Sequence, residues 1–334
     1  MRFIIYGAGG IGGTIGGRLA LNGHDVVLIC RGEHLRAVRA GGLLLRTPDG
    51  DHRVSLPAVG HPSEIDWREG DVVFLCMKTQ DTDAALRDLE HAAGPAVPVF
   101  CAQNGVENER LASRRFRNVY ATLVALPATF LVPGEVIASA APLSGCLHSG
   151  VYPRGVDATV EAVCAALAAS HFHCEPSADA MELKYRKLLL NLGNGVEVIV
   201  GQSAWGAPGP LGQFVDELRR EALACYAAAG IAATSQEDYV ARVTRHYRAQ
   251  PVGGEARNGS STLQSILRGH DTTEVNYLNG EIVLLSKLTG VPAPLNAAVR
   301  EIATRMARER REPGSVTIEE VRATAATLAT APSA

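Results

Sequence analysis

The chain has 334 residues, which at roughly 150 residues per domain predicts two domains. Apolar residues make up 46% of it and charged residues 20%, a composition typical of globular proteins that argues against a disordered or fibrous chain. The net charge is −3, from 32 basic and 35 acidic side chains, and no basic domain or stripe of the kind that binds nucleic acid is visible.

The seven cysteines are scattered, odd in number and without a C-x-x-C pair, which argues against a disulfide framework or a zinc site. His171 and His173 flank Phe172 and are expected to be structural. No group of His, Cys and carboxylates shows metal-ligand spacing in the sequence, so we expect no metal. No apolar stretch approaches the ~18 residues that span a bilayer. The first candidate strand begins at Arg2, without a signal-peptide pattern before it. We therefore expect a cytoplasmic protein that binds neither membrane nor nucleic acid.

The first half of the chain alternates short apolar runs with helical stretches. Near-continuous apolar runs are typical of strands buried on both faces of a parallel sheet, and they occupy Arg2–Tyr6, Asp25–Cys30, Val72–Cys76 and Pro98–Cys101. Further elements are expected as a helix over Gly12–Asn22, a hairpin within Gly41–Pro57, a strand near Val119–Ala125, antiparallel edge strands within Gly134–Gly150 and a helix near Ala158–Ser170.

From Ala178 onward the strand signal disappears. Helices are predicted over Ala178–Val200, Leu211–Gly230, Ser235–Gln250, Glu274–Gly290 and Leu295–Arg311, with prolines at their ends. We therefore expect an α/β domain with a parallel sheet over 1–177, an all-α domain over 178–312 and a peripheral helical or frayed tail over 313–334. Thr317-x-x-Glu320 predicts a capping box in the tail.

A glycine-rich segment, Gly7-Ala8-Gly9-Gly10-Ile11-Gly12, follows the first strand and opens a helix. In this context Gly7 permits a tight turn, Gly9 lets the backbone approach a pyrophosphate, and Gly12 allows close packing of strand and helix. The helix N-terminus supplies free N–H groups and a partial positive charge. The segment predicts a Rossmann-type dinucleotide-binding domain; the alternative is a structural glycine-rich turn.

The end of the second strand bears on which dinucleotide binds. NAD-binding sites usually carry Asp or Glu there to hold the ribose 2′-hydroxyl, but this chain has Arg31. A guanidinium suits a 2′-phosphate through charge-assisted hydrogen bonds, which favours NADP(H). Glu33 could compete two residues later, and Arg31 could also be an ordinary surface charge.

Two of only four lysines lie in one helical segment of the second half. Lys187 and Asn191 are four residues apart and share a helix face, which Lys184 joins. A lysine can act as a general acid because its environment can lower its pKa, whereas an arginine keeps its proton. This pattern indicates a catalytic lysine; the alternative is a surface lysine on an amphipathic helix.

Two further candidates lie downstream. Ser260-Ser261-Thr262 begins a helical stretch whose hydroxyls and N–H groups could hold a carboxylate, or could simply cap the helix. Glu274 opens the next helix and could accept a hydrogen bond from a substrate hydroxyl or a cofactor amide. Its alternative is a favourable acid in a first helical turn.

Together these residues resemble the ketopantoate reductase (2-dehydropantoate 2-reductase) family, from Met1 to about Arg310. The resemblance rests on the order and spacing of short motifs: the glycine loop, Arg31, Met77-Lys78-Thr79, Gln103-Asn104-Gly105, Arg186-Lys187-x3-Asn191, Ser260-Ser261, Thr273-Glu274 and Tyr277-x-Asn279-Gly280. It implies NADPH-dependent reduction of a small 2-oxo acid to a 2-hydroxy acid, by default 2-dehydropantoate to pantoate.

The resemblance also assigns roles to residues. Lys187 would donate the proton to the carbonyl oxygen, and Asn104 and Glu274 would belong to the catalytic set. Lys78 and Asn104 would lie near the nicotinamide ribose and the substrate, and Glu274 would bind polar groups of cofactor or substrate. Substrate oxygens would be held by Lys187, Asn191, Ser260 and Ser261. A homodimer formed through the helical domain is also expected.

The chain departs from the family pattern near the expected substrate. Gly195 stands where the family commonly has a second asparagine, and Gly193-Asn194-Gly195 should loosen the helix. An extra residue precedes Glu274, and Trp205 could line a pocket. These changes leave open a reductase of a different carbonyl or imine substrate. A non-catalytic NADP-binding sensor is a second alternative, which would not need the lysine, asparagine and glutamate.

Overall fold

The computed structural model describes residues 1–204, 206–255, 259–260, 262–263 and 273–330. By their contacts they divide into two compact units. The first unit comprises residues 1–184 together with 234–257, and the second comprises residues 185–233 and 258–334.

The strands of the described residues all belong to the first unit. They are β1 (Arg2–Tyr6), β2 (Asp25–Ile29), β3 (Leu43–Thr47), β4 (Gly50–Val54), β5 (Ala58–Val59), β6 (Asp71–Leu75), β7 (Val99–Cys101), β8 (Val119–Thr122), β9 (Ala128–Thr129), β10 (Glu135–Ala138), β11 (Ala140–Pro142), β12 (Ser149–Val151) and β13 (Tyr247–Ala249).

The helices occur in both units. They are α1 (Gly10–Leu21), α2 (Gly32–Gly41), α3 (Thr82–Ala93), α4 (Asn108–Ser113), α5 (Ala158–Ala169), α6 (Ala180–Asn191), α7 (Gly193–Val200), α8 (Gly209–Ala229), α9 (Gln236–Arg242), α10 (Asn279–Thr289), α11 (Pro294–Glu309) and α12 (Ile318–Thr330). Short 3-10 helices occupy Pro62–Glu64, Thr79–Asp81, Thr244–His246 and Glu274–Tyr277.

A seven-stranded sheet forms the centre of the first unit, in the order β12-β8-β7-β6-β1-β2-β5. Every neighbouring pair is parallel except β8 with β12. Successive residues of β1 enter two different cores: Phe3 and Ile5 lie in one, and Ile4 and Tyr6 in the other. The apolar runs are therefore buried on both faces, which confirms the predicted parallel sheet.

The predicted hairpin is present, and the predicted antiparallel edge strands are confirmed only in part, because β12 lies at an edge of its sheet whereas β10 lies between β3 and β9. Strands β3 and β4 pair in antiparallel fashion within the predicted stretch. Strand β10 pairs antiparallel with β9 and parallel with β3, while β11 and β12 each pair antiparallel with one partner. The α/β fold class of this region is confirmed.

The helix predicted over Ser235–Gln250 is wrong in its second half. Helix α9 ends at Arg242, a 3-10 turn follows, and β13 pairs antiparallel with β11, so that Tyr247 lies opposite Pro142. The partner strand lies far away in sequence, so helical spacing alone could not reveal this pairing. Residues 234–257 consequently belong with the first unit. The domain limits 1–177, 178–312 and 313–334 remain a proposal, which limited proteolysis can test.

In the second unit the described elements are all helical. Helix α8 buries Phe214, Leu218, Ala222 and Cys225 along one face, the spacing expected of an amphipathic helix. The stretch predicted as one helix over Ala178–Val200 is divided at Leu192 into α6 and α7, although Leu192 keeps helical dihedral angles.

The capping box predicted before α12 is confirmed, because the backbone N–H of Thr317 donates to the Glu320 carboxylate at 2.7 Å and Glu320 N–H donates to Thr317 Oγ1 at 3.2 Å. None of the helices described is long and apolar enough to cross a membrane.

Candidate active site

Three loops of the first unit leave the same edge of the sheet. Strands β1, β6 and β7 are parallel, and β6 lies between the other two. Their carboxyl ends lead into the glycine loop, into Met77-Lys78-Thr79 and into Gln103-Asn104-Gly105. In open α/β sheets ligands bind outside the carboxyl ends of such strands, so the predicted cofactor residues converge where a nucleotide is expected.

The glycine loop is shaped by two positions that only glycine can fill. Gly7 has φ +97°, and a Cβ there would lie 2.8 Å from the backbone nitrogen of Met77. A Cβ at Gly12 would lie 2.2 Å from the carbonyl oxygen of Gly7. Real Cβ atoms do not approach backbone this closely, so both glycines are needed for the turn and for the packing of α1 on the strands.

Gly9 differs, because a Cβ there would meet no described atom within 4 Å. Gly9 is the N-cap of α1, has no side chain to cap the helix, and is followed by a first turn without acidic residues. Its flanking residues Ala8, Gly10 and Ile11 complete the loop. Open space at an uncapped helix N-terminus fits the pyrophosphate of a dinucleotide.

His34 holds the glycine loop from the side and was missed by the sequence analysis. Its Nε2–H donates to the carbonyl oxygen of Ala8 at 2.8 Å, and its Nδ1 accepts from the backbone N–H of Gly134 at 2.9 Å. This pattern requires the neutral imidazole. Burial lowers the pKa of His34, against the opposing effect of the Ala8 hydrogen bond. Only the spatial neighbours of His34 reveal this role.

Arg31 is the N-cap residue of α2 and is exposed. The competing acid, Glu33, is paired with Arg36 on the exposed first turn of the same helix. An exposed guanidinium at the end of β2 suits an anionic group such as a phosphate.

Gln103 connects the loop after β7 to the loop after β6. Its Nε2 donates to the carbonyl oxygen of Met77 at 2.9 Å and to Thr82 Oγ1 at 2.8 Å. The Thr82 hydroxyl in turn donates to Asn108 Oδ1 at 2.9 Å, and Asn108 Nδ2 donates to the carbonyl oxygen of Asn104 at 3.1 Å. This buried network fixes the two loops against each other.

Lys78 and Asn104 stand in these two connected loops. Lys78 is the N-cap residue of the 3-10 helix Thr79–Asp81, and its side chain is half-buried. Asn104 is also half-buried and precedes Gly105, which has φ +76°. The structure thus brings both residues to the edge of the sheet that carries the glycine loop.

Lys184 makes contacts that the sequence did not suggest. Its ammonium is paired with the Glu109 carboxylate and also donates to the carbonyl oxygens of Cys101 and Gln103. The exposed fraction is 3% for the Lys184 side chain and 0% for that of Glu109. Burial raises the pKa of Glu109, while Lys184 opposes the rise. Lys184 is therefore not a counterpart of Lys187 but part of the first unit's interior.

In the second unit, α6 carries Lys187 and Asn191 one turn apart. Lys187 is half-buried, whereas Asn191 is 5% exposed. No hydrogen-bond partner for the buried Asn191 Nδ2 exists among the residues described. A buried donor without a partner is costly, so this amide is suited to an oxygen of a bound ligand.

The loosening of the helix expected from Gly193 and Gly195 stays a prediction, but the structure shows close packing at Gly195. It lies inside α7, where a Cβ would be 2.8 Å from Val275 and from Val299, and 3.1 Å from Asn279 Oδ1. The helix is closely packed at this position, so a larger residue does not fit the present arrangement.

Ser260 and Glu274 also lie in the second unit. The backbone N–H of Ser260 donates to Glu197 Oε2 at 2.9 Å, and its Oγ accepts from the N–H of Leu263 at 3.3 Å as a helix cap does. The buried carboxylate of Glu197 was missed by the sequence analysis. Glu274 is 6% exposed and opens its 3-10 helix. Ser261 and Trp205 lie outside the described residues.

His148, His173 and Glu175 form a group with metal-compatible spacing in the described part of the chain, with ligand atoms within 4.8 Å of one another. Both ring nitrogens of His148 are already used: Nε2–H donates to the carbonyl oxygen of Arg242 at 2.9 Å, and Nδ1 accepts from the N–H of Glu175 at 3.1 Å. The His173 ring stacks on His246 with centroids 3.5 Å apart. Both His148 nitrogens are thus engaged within the protein, and the absence of a metal stays a prediction.

Two family models match this chain. Residues 3–145 match the model described as "Ketopantoate reductase PanE/ApbA", and residues 179–307 match "Ketopantoate reductase PanE/ApbA C terminal". Together the two matches cover most of the chain.

Curated relatives agree with the models. The chain is 27% identical over 308 residues to a 2-dehydropantoate 2-reductase of Halobacterium salinarum, covering 88% of this chain and 95% of the relative. It is 28% identical over 299 residues to a protein of the same name from Pyrococcus horikoshii, covering 89% and 94%.

Solved structures share the fold. A PanE/ApbA family ketopantoate reductase from Ralstonia eutropha superposes with a TM-score of 0.79 at 26% identity, covering 93% of this chain and all of the other. D-mandelate dehydrogenase, solved with NADH and anilino(oxo)acetate, also gives 0.79, with 93% and 99% covered. Its 22% identity makes it a likeness of fold.

Proposed function

Since this chain belongs to the ketopantoate reductase family, whose members are oxidoreductases acting on CH–OH groups, we propose that it reduces a 2-oxo acid to a 2-hydroxy acid with NADPH. The default substrate is 2-dehydropantoate, after which the curated relatives are named. The observation that carries the proposal is the pair on α6: a lysine one turn away from a buried amide donor that has no partner among the described residues.

The proposed roles in the second unit follow from the chemistry of each side chain. Lys187 donates its proton to the carbonyl oxygen and stabilises the negative charge that develops there. Asn191 Nδ2 donates to a substrate oxygen, which gives the buried amide an acceptor that the described part of the chain does not provide. Ser260 and Ser261 bind the carboxylate, and Glu274 accepts hydrogen bonds from polar groups of substrate or cofactor.

In the first unit, the backbone of the glycine loop binds the pyrophosphate at the N-terminus of α1. Arg31 binds the 2′-phosphate, which makes NADP(H) the preferred cofactor. Lys78 and Asn104 orient the nicotinamide ribose and the substrate. When bound, the reduced nicotinamide supplies the hydride that reduces the carbonyl carbon.

The proposal is tested by following the absorbance of NADPH with purified protein and a panel of 2-oxo acids that includes 2-dehydropantoate. We expect fast oxidation with 2-dehydropantoate. Lys187→Ala should lower kcat by about 10² to 10⁴-fold, the usual contribution of a general acid, without weakening NADPH binding. The matched control is Lys287→Ala, which removes an exposed lysine of α10 and should leave kcat unchanged.

A second candidate is a reductase of another carbonyl or of an imine. It is favoured by Gly195, whose packing leaves no room for the second amide that the family commonly has there. Turnover of another panel member in preference to 2-dehydropantoate would select this candidate. Tight NADPH binding with no turnover of any compound would instead favour a non-catalytic sensor.

The proposal also includes a homodimer formed through the helical domain and a location in the reducing cytoplasm. Thiols suit that compartment, and all seven cysteines are thiols in the structure. Light scattering on the full chain would measure the mass in solution, and a monomer at micromolar concentration would contradict the dimer.

A further inference from the structure

Lys184 and Glu109 form a buried ion pair in the first unit that the proposed chemistry does not use. An ammonium has three N–H donors. For Lys184 there are three acceptors: the Glu109 carboxylate, the carbonyl oxygen of Cys101 at 3.3 Å and that of Gln103 at 3.1 Å. Every donor is therefore engaged inside the protein, and Lys184 has none left for a substrate.

The three acceptors lie on both sides of one turn. Cys101 is the last residue of β7, Gln103 directly precedes Asn104, and Glu109 lies in the first turn of α4. A single ammonium thus ties the strand end before Asn104 to the helix start after it. The buried amide of Gln103 fixes the same turn to the loop that carries Lys78.

Stability by itself does not explain a charge pair at this place. Removing two charges from water is costly, and well-packed neutral side chains of similar size are often equally or more stabilising. Burial raises the pKa of Glu109, as expected for a carboxylate that pays this desolvation cost. A rigid turn geometry is the property that an ammonium with three fixed acceptors provides and an apolar side chain does not.

We propose that Lys184 is a positioning residue: paired with Glu109, it holds the turn of Gln103-Asn104-Gly105 so that Asn104 faces the nicotinamide ribose and the substrate in the productive geometry. This inference rests on the proposed function for the role of Asn104. The two lysines of α6 then have different roles. Lys187 acts on the substrate, whereas Lys184, one turn earlier, acts only by holding the turn that carries Asn104.

The test removes both charges together. Lys184→Met alone leaves the Glu109 carboxylate buried without its partner and can fail to fold. The double variant Lys184→Met/Glu109→Gln leaves no unpaired charge and should unfold close to the wild-type temperature. Its kcat should fall by about 10- to 100-fold, as expected when a reacting group is displaced by about 1 Å. Lys287→Met, at an exposed position, is the matched control and should keep the wild-type kcat.

A double-mutant cycle separates positioning from a general loss of stability. If Lys184 acts through Asn104, then introducing the double variant into an Asn104→Ala background should cause little further loss of kcat. Additive losses, or a double variant with wild-type kcat, would overturn the inference.

Amide hydrogen exchange tests the role of the ion pair without requiring catalysis, so this inference can fail or hold independently of the proposed function. Failure of the wild-type protein to reduce any 2-oxo acid would count against the proposed function alone. Amide hydrogen exchange of residues 103–106 should still be faster in the double variant than in the wild type. Unchanged exchange there would show that the pair does not hold the turn.

Discussion

A Cβ added at Gly9 in the first unit would meet no described atom within 4 Å, whereas one added at Gly195 in the second unit would lie 2.8 Å from two valines. The first glycine leaves space for something that is not protein, and the second is filled by its own neighbours. The sequence predicted that Gly9 lets the backbone approach a pyrophosphate and that Gly195 stands where the family commonly has an asparagine near the substrate. The difference teaches that a glycine near a site marks a binding surface only where the surrounding protein leaves it uncovered.

The largest expected effect comes from the glycine loop. Gly12→Ala places a Cβ 2.2 Å from the carbonyl oxygen of Gly7, so α1 must shift and NADPH binding should be lost together with stability. Gly9→Ala meets no described atom, so it should unfold at the wild-type temperature and yet bind NADPH at least tenfold more weakly, a difference of about 1.4 kcal/mol. Fluorescence titration and thermal unfolding measure the two effects.

If Gly9→Ala binds NADPH as tightly as the wild type does, the open space at Gly9 is not part of the cofactor site. If Gly12→Ala is folded and binds NADPH like the wild type, the close approach at Gly12 does not shape the loop.

Arg31→Ser probes the same surface through charge. A hydrogen bond to a charged group contributes about 1.5–3 kcal/mol, so the Kd for NADPH should rise by about 10- to 100-fold while the Kd for NADH stays the same. Arg36→Ser is the control, since Arg36 is paired with Glu33 on the surface of α2. If the Kd values for NADPH and NADH rise equally, Arg31 does not bind the 2′-phosphate.

Gly195→Asn restores the amide that the family commonly has and tests the packed glycine. Its side chain would collide with Val275 and Val299, so the free energy of unfolding should fall by about 1–3 kcal/mol. Denaturant unfolding monitors this change. Asn194→Ala in the same helix adds no such collision and serves as a comparison. A stable Gly195→Asn variant with faster turnover would instead favour a role for this position in substrate recognition.

The smallest effect concerns pH and the buried histidine His148. Burial lowers the pKa of His148, against opposing hydrogen bonds to Arg242 and Glu175. Between the pKa values of the folded and unfolded states, the folded state therefore binds fewer protons than the unfolded state does. The contribution of His148 to stability is complete above the unfolded pKa of about 6.5 and is lost as the pH falls below it, by at most about 1.4 kcal/mol per pH unit.

His148→Gln keeps a donor for the Arg242 carbonyl oxygen but cannot titrate. Its free energy of unfolding should therefore change less than that of the wild type between pH 7 and 5, as measured by urea unfolding. His91→Gln, at an exposed position on α3, should retain the wild-type slope. If the free energy of unfolding of His148→Gln changes with pH as much as that of the wild type, groups other than His148 cause the acid sensitivity.

Much of the first unit was predictable because its signals are local. The buried strands are continuous apolar runs, and the turn of the glycine loop is predicted from residues that are adjacent in sequence. Lys187 and Asn191 share a helix face because of their spacing alone. The sequence could also place the capping box at Thr317, since both partners lie within one turn.

The sequence by itself determined the parallel sheet, the turn of the glycine loop and the spacing of the lysine and asparagine, since periodicity and short-range sterics act between near neighbours. Tertiary structure alone decided the strand β13, the support of the loop by His34 and the pairing of Lys184 with Glu109. It also decided that Gly195 is packed. Each of these depends on which distant residues meet in a close-packed interior, where a few tenths of an ångström determine whether a group is paired, buried or open.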